Sequence, residues 1–407
     1  MGARVVYLDN AATSWPKPPC VAEAMAAFLR DSGGNPGRSG HRLSVAAGRV
    51  VAEAREAAAR ALGLSDPLRL AFTANATAAL NVGIAGLAGP GDRIVVDAMA
   101  HNACARPLSE AARRGAEIDW APVDGAGRLD LDLLEDLVAG RRGPGGGPGR
   151  GARVGRKAAR LVVLTHGSNV SGALQDLAAV ATIAELAGAV LLVDAAQTAG
   201  LEDIGLDSLP GAVVAFTGHK AMLGPGGTGG LAFGTGVDPE ACAPLLRGGT
   251  GSASESEEHP AFMPDRFEAG TLNGPGLAGL LSGLSWIEAS GRAELRAAEL
   301  RLTERLAAGL RELPGVQVLG PRPGERRCPV LSIRAGLIDP ASLALALDER
   351  HGVLCRVGLH CAPRAHRSLG TFPGGAVRLS PGPFLSDDDI DYALGAVEAC
   401  LKEGTSP

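Results

Sequence analysis

The sequence predicts an α/β chain: a large domain whose mainly parallel sheet is flanked by helices, and a smaller C-terminal α/β domain. Three observations lead there. Short apolar runs of strand length alternate with helical patterns up to about residue 230, as expected of parallel strands covered on both faces. The texture changes near residue 275, where two long helical patterns begin. The length of 407 residues allows two domains, at about 100–200 residues each. Composition agrees. Hydrophobic residues make up 46% and charged residues 20%, ordinary globular usage that excludes wholesale disorder. Aromatics are only 3%, so the core must rest on Ala, Val and Leu. A net charge of −5 gives no reason to expect nucleic acid or an anionic membrane as partner. No apolar run is long enough to span a membrane, and no signal-peptide core opens the chain. The seven scattered cysteines include no Cys-x-x-Cys pair, so a reduced, cytoplasmic protein without a metal site is expected.

Taken in order, Met1–Asp9 reads as a strand. Helices follow at Pro19–Arg30 and Ser44–Leu62, the second with Glu53, Arg55, Glu56 and Arg60 assigned to a wet face. Strands are predicted at Leu68–Thr73, Arg93–Asp97, Ala116–Trp120, Arg160–Thr165, Val190–Asp194 and Val213–Thr217. Helices at Ala76–Leu87, Asn102–Arg113 and Leu177–Ala187 lie between them. Arg141–Arg160 breaks the pattern with Gly-Pro-Gly-Gly-Gly-Pro-Gly and seven basic residues but no acid. Gly and Pro prevent a fixed charged surface, so a flexible insertion at 141–160 is expected. Gly248–Glu258, rich in Gly, Ser and Glu, is a second candidate mobile segment. Beyond it come helices at Gly276–Ala289 and Ala293–Glu312, strands at Val316–Leu319 and Val330–Ile333, and a helix at Ala341–Arg350. A strand at Val377–Leu379 and a closing helix at Asp387–Lys402 complete the chain. The expected division is a large domain of residues 15–280, with 1–14 and 281–407 forming the small one.

Chemistry first shows at Ala215-Phe216-Thr217-Gly218-His219-Lys220. A lysine at the end of a buried strand has its pKa lowered by desolvation, which makes it a candidate nucleophile or base. The glycines at 224–230 nominally contain Gly-x-Gly-x-x-Gly. No helix and no Gly-Lys-Ser/Thr follow, so a P-loop is not expected. Asp194 follows Leu191-Leu192-Val193 at the carboxyl end of a predicted parallel strand, the edge where α/β sheets bind ligands. Alone it reads equally as a helix cap. Lys220 and Asp194 together suggest pyridoxal 5′-phosphate, which needs a lysine and an acid partner for its ring nitrogen. Thr73-Ala74-Asn75-Ala76-Thr77, between a strand and a helix, offers a phosphate cradle. His101 opens a helix and could be a simple cap. Cys361 sits in Gly358-Leu359-His360-Cys361-Ala362-Pro363-Arg364-Ala365-His366. That polar, basic turn favours a reactive thiol. A metal reading of His360, Cys361 and His366 lacks an ordered fourth ligand.

These motifs occur in an order that resembles the class V (fold type I) aminotransferase superfamily, and within it the SufS-like and NifS-like cysteine desulfurases. The resemblance also takes in Leu8-Asp9-Asn10-Ala11-Ala12-Thr13, Gly34–His41, Thr165–Gly172, Arg266–Thr271 and Arg356–Ala362. It implies a fold type I pyridoxal-phosphate-dependent transferase and a set of roles. Lys220 would hold the cofactor and move the Cα proton. Asp194 would pair with the ring nitrogen, Gln197 with the phenolic oxygen, and His101 would stack on the ring. Ala76, Thr77, Thr217 and His219 would border the phosphate, with Thr271 reaching in from a second subunit of a homodimer. Asn169, close to the cofactor, would hold the substrate carboxylate with Arg378, and Arg356 would lie nearby. Cys361 would attack the sulfur of L-cysteine and carry it as a persulfide to a protein acceptor. The resemblance does not say which acceptor; iron–sulfur cluster assembly is one pathway it allows. Ala212, Ala100 and Leu359 depart from the usual family residues. Selenocysteine lyase, another class V aminotransferase or C–S lyase, and more remotely a non-catalytic partner-binding protein stay open as alternatives.

Overall fold

The computed structural model describes residues 4–37, 39–141, 155–336 and 338–404. Most of the Arg141–Arg160 segment lies outside the described residues, as does Arg38 of the Gly34–His41 motif. The chain opens with β1 (Val6–Tyr7), α1 (Pro19–Asp31) and α2 (Arg42–Ala61). Then follow β2 (Leu70–Thr73), α3 (Ala76–Leu87), β3 (Arg93–Asp97), α4 (Asn102–Arg113), β4 (Glu117–Ala121) and α5 (Leu131–Val138). Next come β5 (Leu161–Thr165), α6 (Leu177–Leu186), β6 (Val190–Asp194), β7 (Ala212–Thr217) and β8 (Gly229–Phe233). After α7 (Gly274–Ser290) and α8 (Arg292–Glu312) stand β9 (Val316–Leu319), β10 (Leu331–Ala335) and α9 (Pro340–His351). The chain finishes with β11 (Val353–Leu354), β12 (Arg356–Gly358), α10 (Pro363–Ser368), β13 (Ala376–Leu379) and α11 (Asp387–Gly404).

A seven-stranded sheet has the order β2-β8-β7-β6-β5-β3-β4. Its strands are parallel except β8, which runs antiparallel to both β2 and β7. The central strands β3, β5, β6 and β7 are buried or nearly so along their length, which is why they read as unbroken apolar runs. The carboxyl ends of β2, β3, β5, β6 and β7 therefore share one edge, and the chain direction across the sheet switches beside β3. A four-stranded antiparallel sheet, β12-β13-β10-β9, carries its own apolar core with α8, α9 and α11. β1 pairs in parallel with β11, so the N-terminal segment joins the C-terminal elements.

Caps account for the helix starts. Asn75, His101, Asp130, Asp176 and Asp339 each accept a backbone N–H from the first turn of the helix that follows, satisfying donors that have no partner within the helix. One surface assignment needs correction. Arg55 is not on the wet face of α2. It is 7% exposed and forms a two-point ion pair with Glu268, at 2.6 and 2.9 Å. Glu268 also accepts from Phe72 N at 2.6 Å, and Arg55 donates to Leu70 O at 2.7 Å. Charge of this kind tolerates burial only when paired and fully hydrogen-bonded, and the pair pins α2 to β2. No helix of the described residues is long and apolar enough to cross a membrane.

Candidate active site

A cavity of about 260 Å³ opens at the carboxyl edge of the large sheet. Lys220, three residues past the end of β7, lines it. Burial pushes the Lys220 amine down to about 8; the guanidiniums of Arg378 and Arg356 push the same way, and Asp194 opposes them. The peptide that carries this lysine is clamped from the N-terminal segment. His219 O accepts from Ser14 N at 3.0 Å, Thr13 Oγ1 at 3.1 Å and Lys17 Nζ at 2.8 Å. Ser14 Oγ donates to Lys220 O at 2.9 Å.

Asp194 ends β6 with its carboxyl buried, and burial raises its pKa. Its Oδ1 accepts from Ala196 N at 3.0 Å, and the Cys104 thiol lies 3.9 Å from Oδ2. Across the cavity His101 caps α4: its Nδ1 accepts from Ala103 N at 3.0 Å. A ring nitrogen that accepts carries no proton, so the neutral ring has its proton on Nε2. Burial, then the cations Lys220, Arg356, Arg378 and Arg106, lower the His101 pKa to about 4. His101 is thus a cap and a cavity wall at once. Gln197 Nε2 donates to Ala11 O at 2.9 Å. Asn75, Ala76 and Thr77 stand at the N-terminus of α3 and line the cavity, as do Thr217 and His219. The amides of Ala76 and Thr77 have no acceptor within the helix, and this helix end favours an anion.

The smaller sheet supplies the opposite wall. Arg378, on β13, is fully buried and bonds Asp9 Oδ1 at 2.5 Å and Asn169 O at 3.2 Å. Arg356, on β12, points Nη2 at the Cys361 sulfur at 3.5 Å. Cys361 is exposed, in a turn where both it and His360 have positive φ, +55° and +50°. Gly375 sits across from Gly358; at φ +73° a Cβ there would come within 2.5 Å of Gly358 O, so only glycine lets the turn's stem close. Among the described residues, no group of three or more His, Cys, Asp or Glu is placed to hold a metal ion.

The cavity brings together every residue to which the resemblance gives a role except Thr271; Thr73 and Ala74 of the expected phosphate cradle also lie outside its lining. Thr271 lines a separate cavity with Thr73, Phe267 and Leu272. Sequence reasoning did not single out Asp9, Cys104 or Ala11 as contacts of the site; each is reached only through the fold. The donor set fits pyridoxal phosphate: an amine of lowered basicity, a buried carboxyl and a helix N-terminus with hydroxyls beside it. Three buried polar atoms on the cavity's residues, Thr165 Oγ1, Asn169 Oδ1 and Arg378 Nε, have no hydrogen-bond partner among the described residues, as expected of a site built for a polar ligand.

The sequence matches the aminotransferase class-V family over residues 6–143 and 152–393. The chain belongs to that family. Class-V members are generally dependent on pyridoxal phosphate. A relative named as a probable cysteine desulfurase in Methanothermobacter thermautotrophicus is 32% identical, covering 98% of this chain and 95% of that protein. A second, from Pyrococcus abyssi, is 31% identical over 98% and 94%. Among solved structures, the apo cysteine desulfurase of Thermococcus onnurineus NA1 superposes with a TM-score of 0.87 at 31% identity, covering 98% of this chain and 95% of that one. An Escherichia coli cysteine desulfurase in an S-sulfonic acid form gives 0.83 at 28% identity, with coverage of 98% and 95%. Within the class-V family, the chain groups with the cysteine desulfurases.

Proposed function

We propose that this chain is a pyridoxal-phosphate-dependent cysteine desulfurase. It converts L-cysteine to L-alanine and carries the sulfur as a persulfide on Cys361 to a protein acceptor. The observation that carries this reading is the meeting of Lys220, Asp194, His101 and the exposed Cys361 thiol on one cavity. Lys220 would hold the cofactor, with Asp194 facing its ring nitrogen, Gln197 its phenolic oxygen and His101 its ring face. The end of α3, Thr217 and His219 would receive its phosphate. When bound, pyridoxal phosphate supplies an electron sink for the pair left at Cα.

The chain's own residues do the rest. Arg378, Arg356 and Asn169 hold the substrate carboxylate, the guanidiniums through forked donors that a lysine lacks. Lys220 Nζ, kept partly unprotonated near neutral pH by burial, takes the proton from Cα. The Cys361 thiolate attacks the substrate sulfur. A sulfur–sulfur bond forms, the Cβ–S bond breaks, its pair stays on Cβ, which takes up a proton, and Lys220 returns to Cα the proton it took. Alanine leaves, and Cys361 keeps the sulfur. The exposure of Cys361 supports hand-over to an acceptor, and a reducing cytoplasm fits a working thiol. A homodimer would give Thr271 its role at the partner's phosphate site.

Turnover of L-cysteine with a thiol reductant tests this, scoring sulfide and alanine together. Equal amounts of both are expected, with both lost in Cys361→Ala while the cofactor absorbance stays. Pyruvate in place of alanine would mean a β-eliminating lyase instead.

A further inference from the structure

Behind Cys361 lies a buried chain of polar groups that the reaction does not use. His360 is 2% exposed and His366 is fully buried. His360 Nδ1 lies 3.1 Å from His366 Nε2, and His366 Nδ1 lies 2.7 Å from Thr371 Oγ1. The other end is His360 Nε2, 3.4 Å from Arg356 O. A carbonyl oxygen can only accept, so His360 Nε2 carries the proton and Nδ1 accepts. The proton between the two rings then belongs to His366 Nε2, and His366 Nδ1 accepts from the Thr371 hydroxyl. The whole chain runs one way: Thr371 to His366 to His360 to the Arg356 carbonyl. With both rings neutral, every contact along the chain has one donor and one acceptor. Burial agrees, holding His360 to about 3 and His366 to about 4.

This chain ends on the turn that presents the thiol. Ala362 N donates to Leu359 O at 2.8 Å, closing a turn whose central residues, His360 and Cys361, both have positive φ. Two successive non-glycine residues in that region persist only where their surroundings over-determine them. The backbone is held by Asn169 Nδ2 on His360 O at 2.8 Å and by Asn102 N on Cys361 O at 2.7 Å. His360 supplies the turn's buried side-chain anchor, and His366 is what its ring rests on. The carbonyl that His360 meets belongs to Arg356, whose guanidinium points at the Cys361 sulfur.

We propose that His366 is a positioning residue for the sulfur-transfer step: through His360 it locks the left-handed turn that holds the Cys361 thiol beside Arg356. This rests on the reading of Cys361 as the sulfur-carrying thiol. The test uses the holoenzyme and its His366→Leu, His366→Gln and Thr371→Val variants. Two rates are read: sulfide release from L-cysteine, and alkylation of Cys361 by iodoacetamide at fixed pH, located by peptide mass spectrometry. His366→Leu should keep the cofactor absorbance, while kcat falls about tenfold or more. Cys361 alkylation should slow by about threefold or more as the thiol leaves Arg356. His366→Gln, whose amide can still donate to His360 Nδ1, should recover most of both rates. A His366→Leu holoenzyme with both rates within about twofold of the wild type overturns the proposal. If His366→Leu does not fold, Thr371→Val decides: slower alkylation supports the lock, and an unchanged rate overturns it. Full turnover by Cys361→Ser would instead sink the reading of Cys361, while the alkylation rates still report on the turn.

Discussion

At the scale of single residues, the site works by desolvation. Lys220 is held at about 8 rather than 10.5 because its ammonium is stripped of water. Only the free amine adds to an aldehyde, so uptake of pyridoxal phosphate by the apo-protein should accelerate as pH rises through about 8 and level off above it. Stopped-flow absorbance measures this directly. A rate that stays flat between about pH 6 and about pH 9 would mean that another group is the nucleophile. Lys220 and Asp194 were legible in the sequence because each follows an unbroken apolar strand, and such strands end at the ligand-binding edge. Cys361 was legible from its polar, basic turn. The pairing of His360 with His366 was not, since six residues of turn and short helix decide whether two rings meet. Nor was Arg55: its helical position looked wet, and only the approach of Glu268 from residue 268 makes its burial possible.

At the scale of elements, α8 carries a cost. Glu299 is buried, one of its carboxyl oxygens has no partner, and burial raises its pKa from 4.5 to about 8, with Arg296 only partly opposing. Between those values the folded chain holds a proton that the unfolded chain has released. Stability from this group therefore falls as pH rises from about 4.5 to about 8. Glu299→Gln keeps the shape without the charge and should raise Tm at about pH 8, by an amount that shrinks toward about pH 5. Thermal unfolding at the two pH values checks it; an equal shift at both would show that the carboxyl is not titrating. Elements were legible where pattern was strong. β3, β6 and the core of β7 stand where apolar runs placed them, whereas β4 begins one residue later than its run suggested. β8 was missed because it opens with Gly229-Gly230, which reads as loop. Those glycines exist for close approach: a Cβ on Gly230 would come within 2.6 Å of the Phe216 ring. The helix expected before the insertion was given no bounds, although Asp130 before Leu131-Asp132-Leu133-Leu134 is a capping signal that could have placed the start of α5.

At the scale of the whole molecule, the site exists because two sheets meet. The large sheet supplies Lys220 and Asp194; the small one supplies Arg356, Arg378 and, just past β12, Cys361. Contacts across the join fix their spacing, among them Asn102 N to Cys361 O at 2.7 Å and Arg378 Nη1 to Asn169 O at 3.2 Å. Such long-range meetings cannot be read from local pattern, and it was the order of several motifs that pointed to them. If the proposed homodimer holds, sedimentation should give twice the 41.1 kDa chain mass; a monomer would leave Thr271 without its role. The central claim is that sulfur passes from L-cysteine to Cys361. The most direct measurement is to react the holoenzyme with L-cysteine in the absence of reductant, block thiols and persulfides by alkylation, and map the peptides by mass spectrometry. The account predicts one added sulfur atom on the peptide holding Cys361, matched by one alanine released. Alanine formed with no sulfur on that peptide, or with the sulfur on another cysteine, would contradict it.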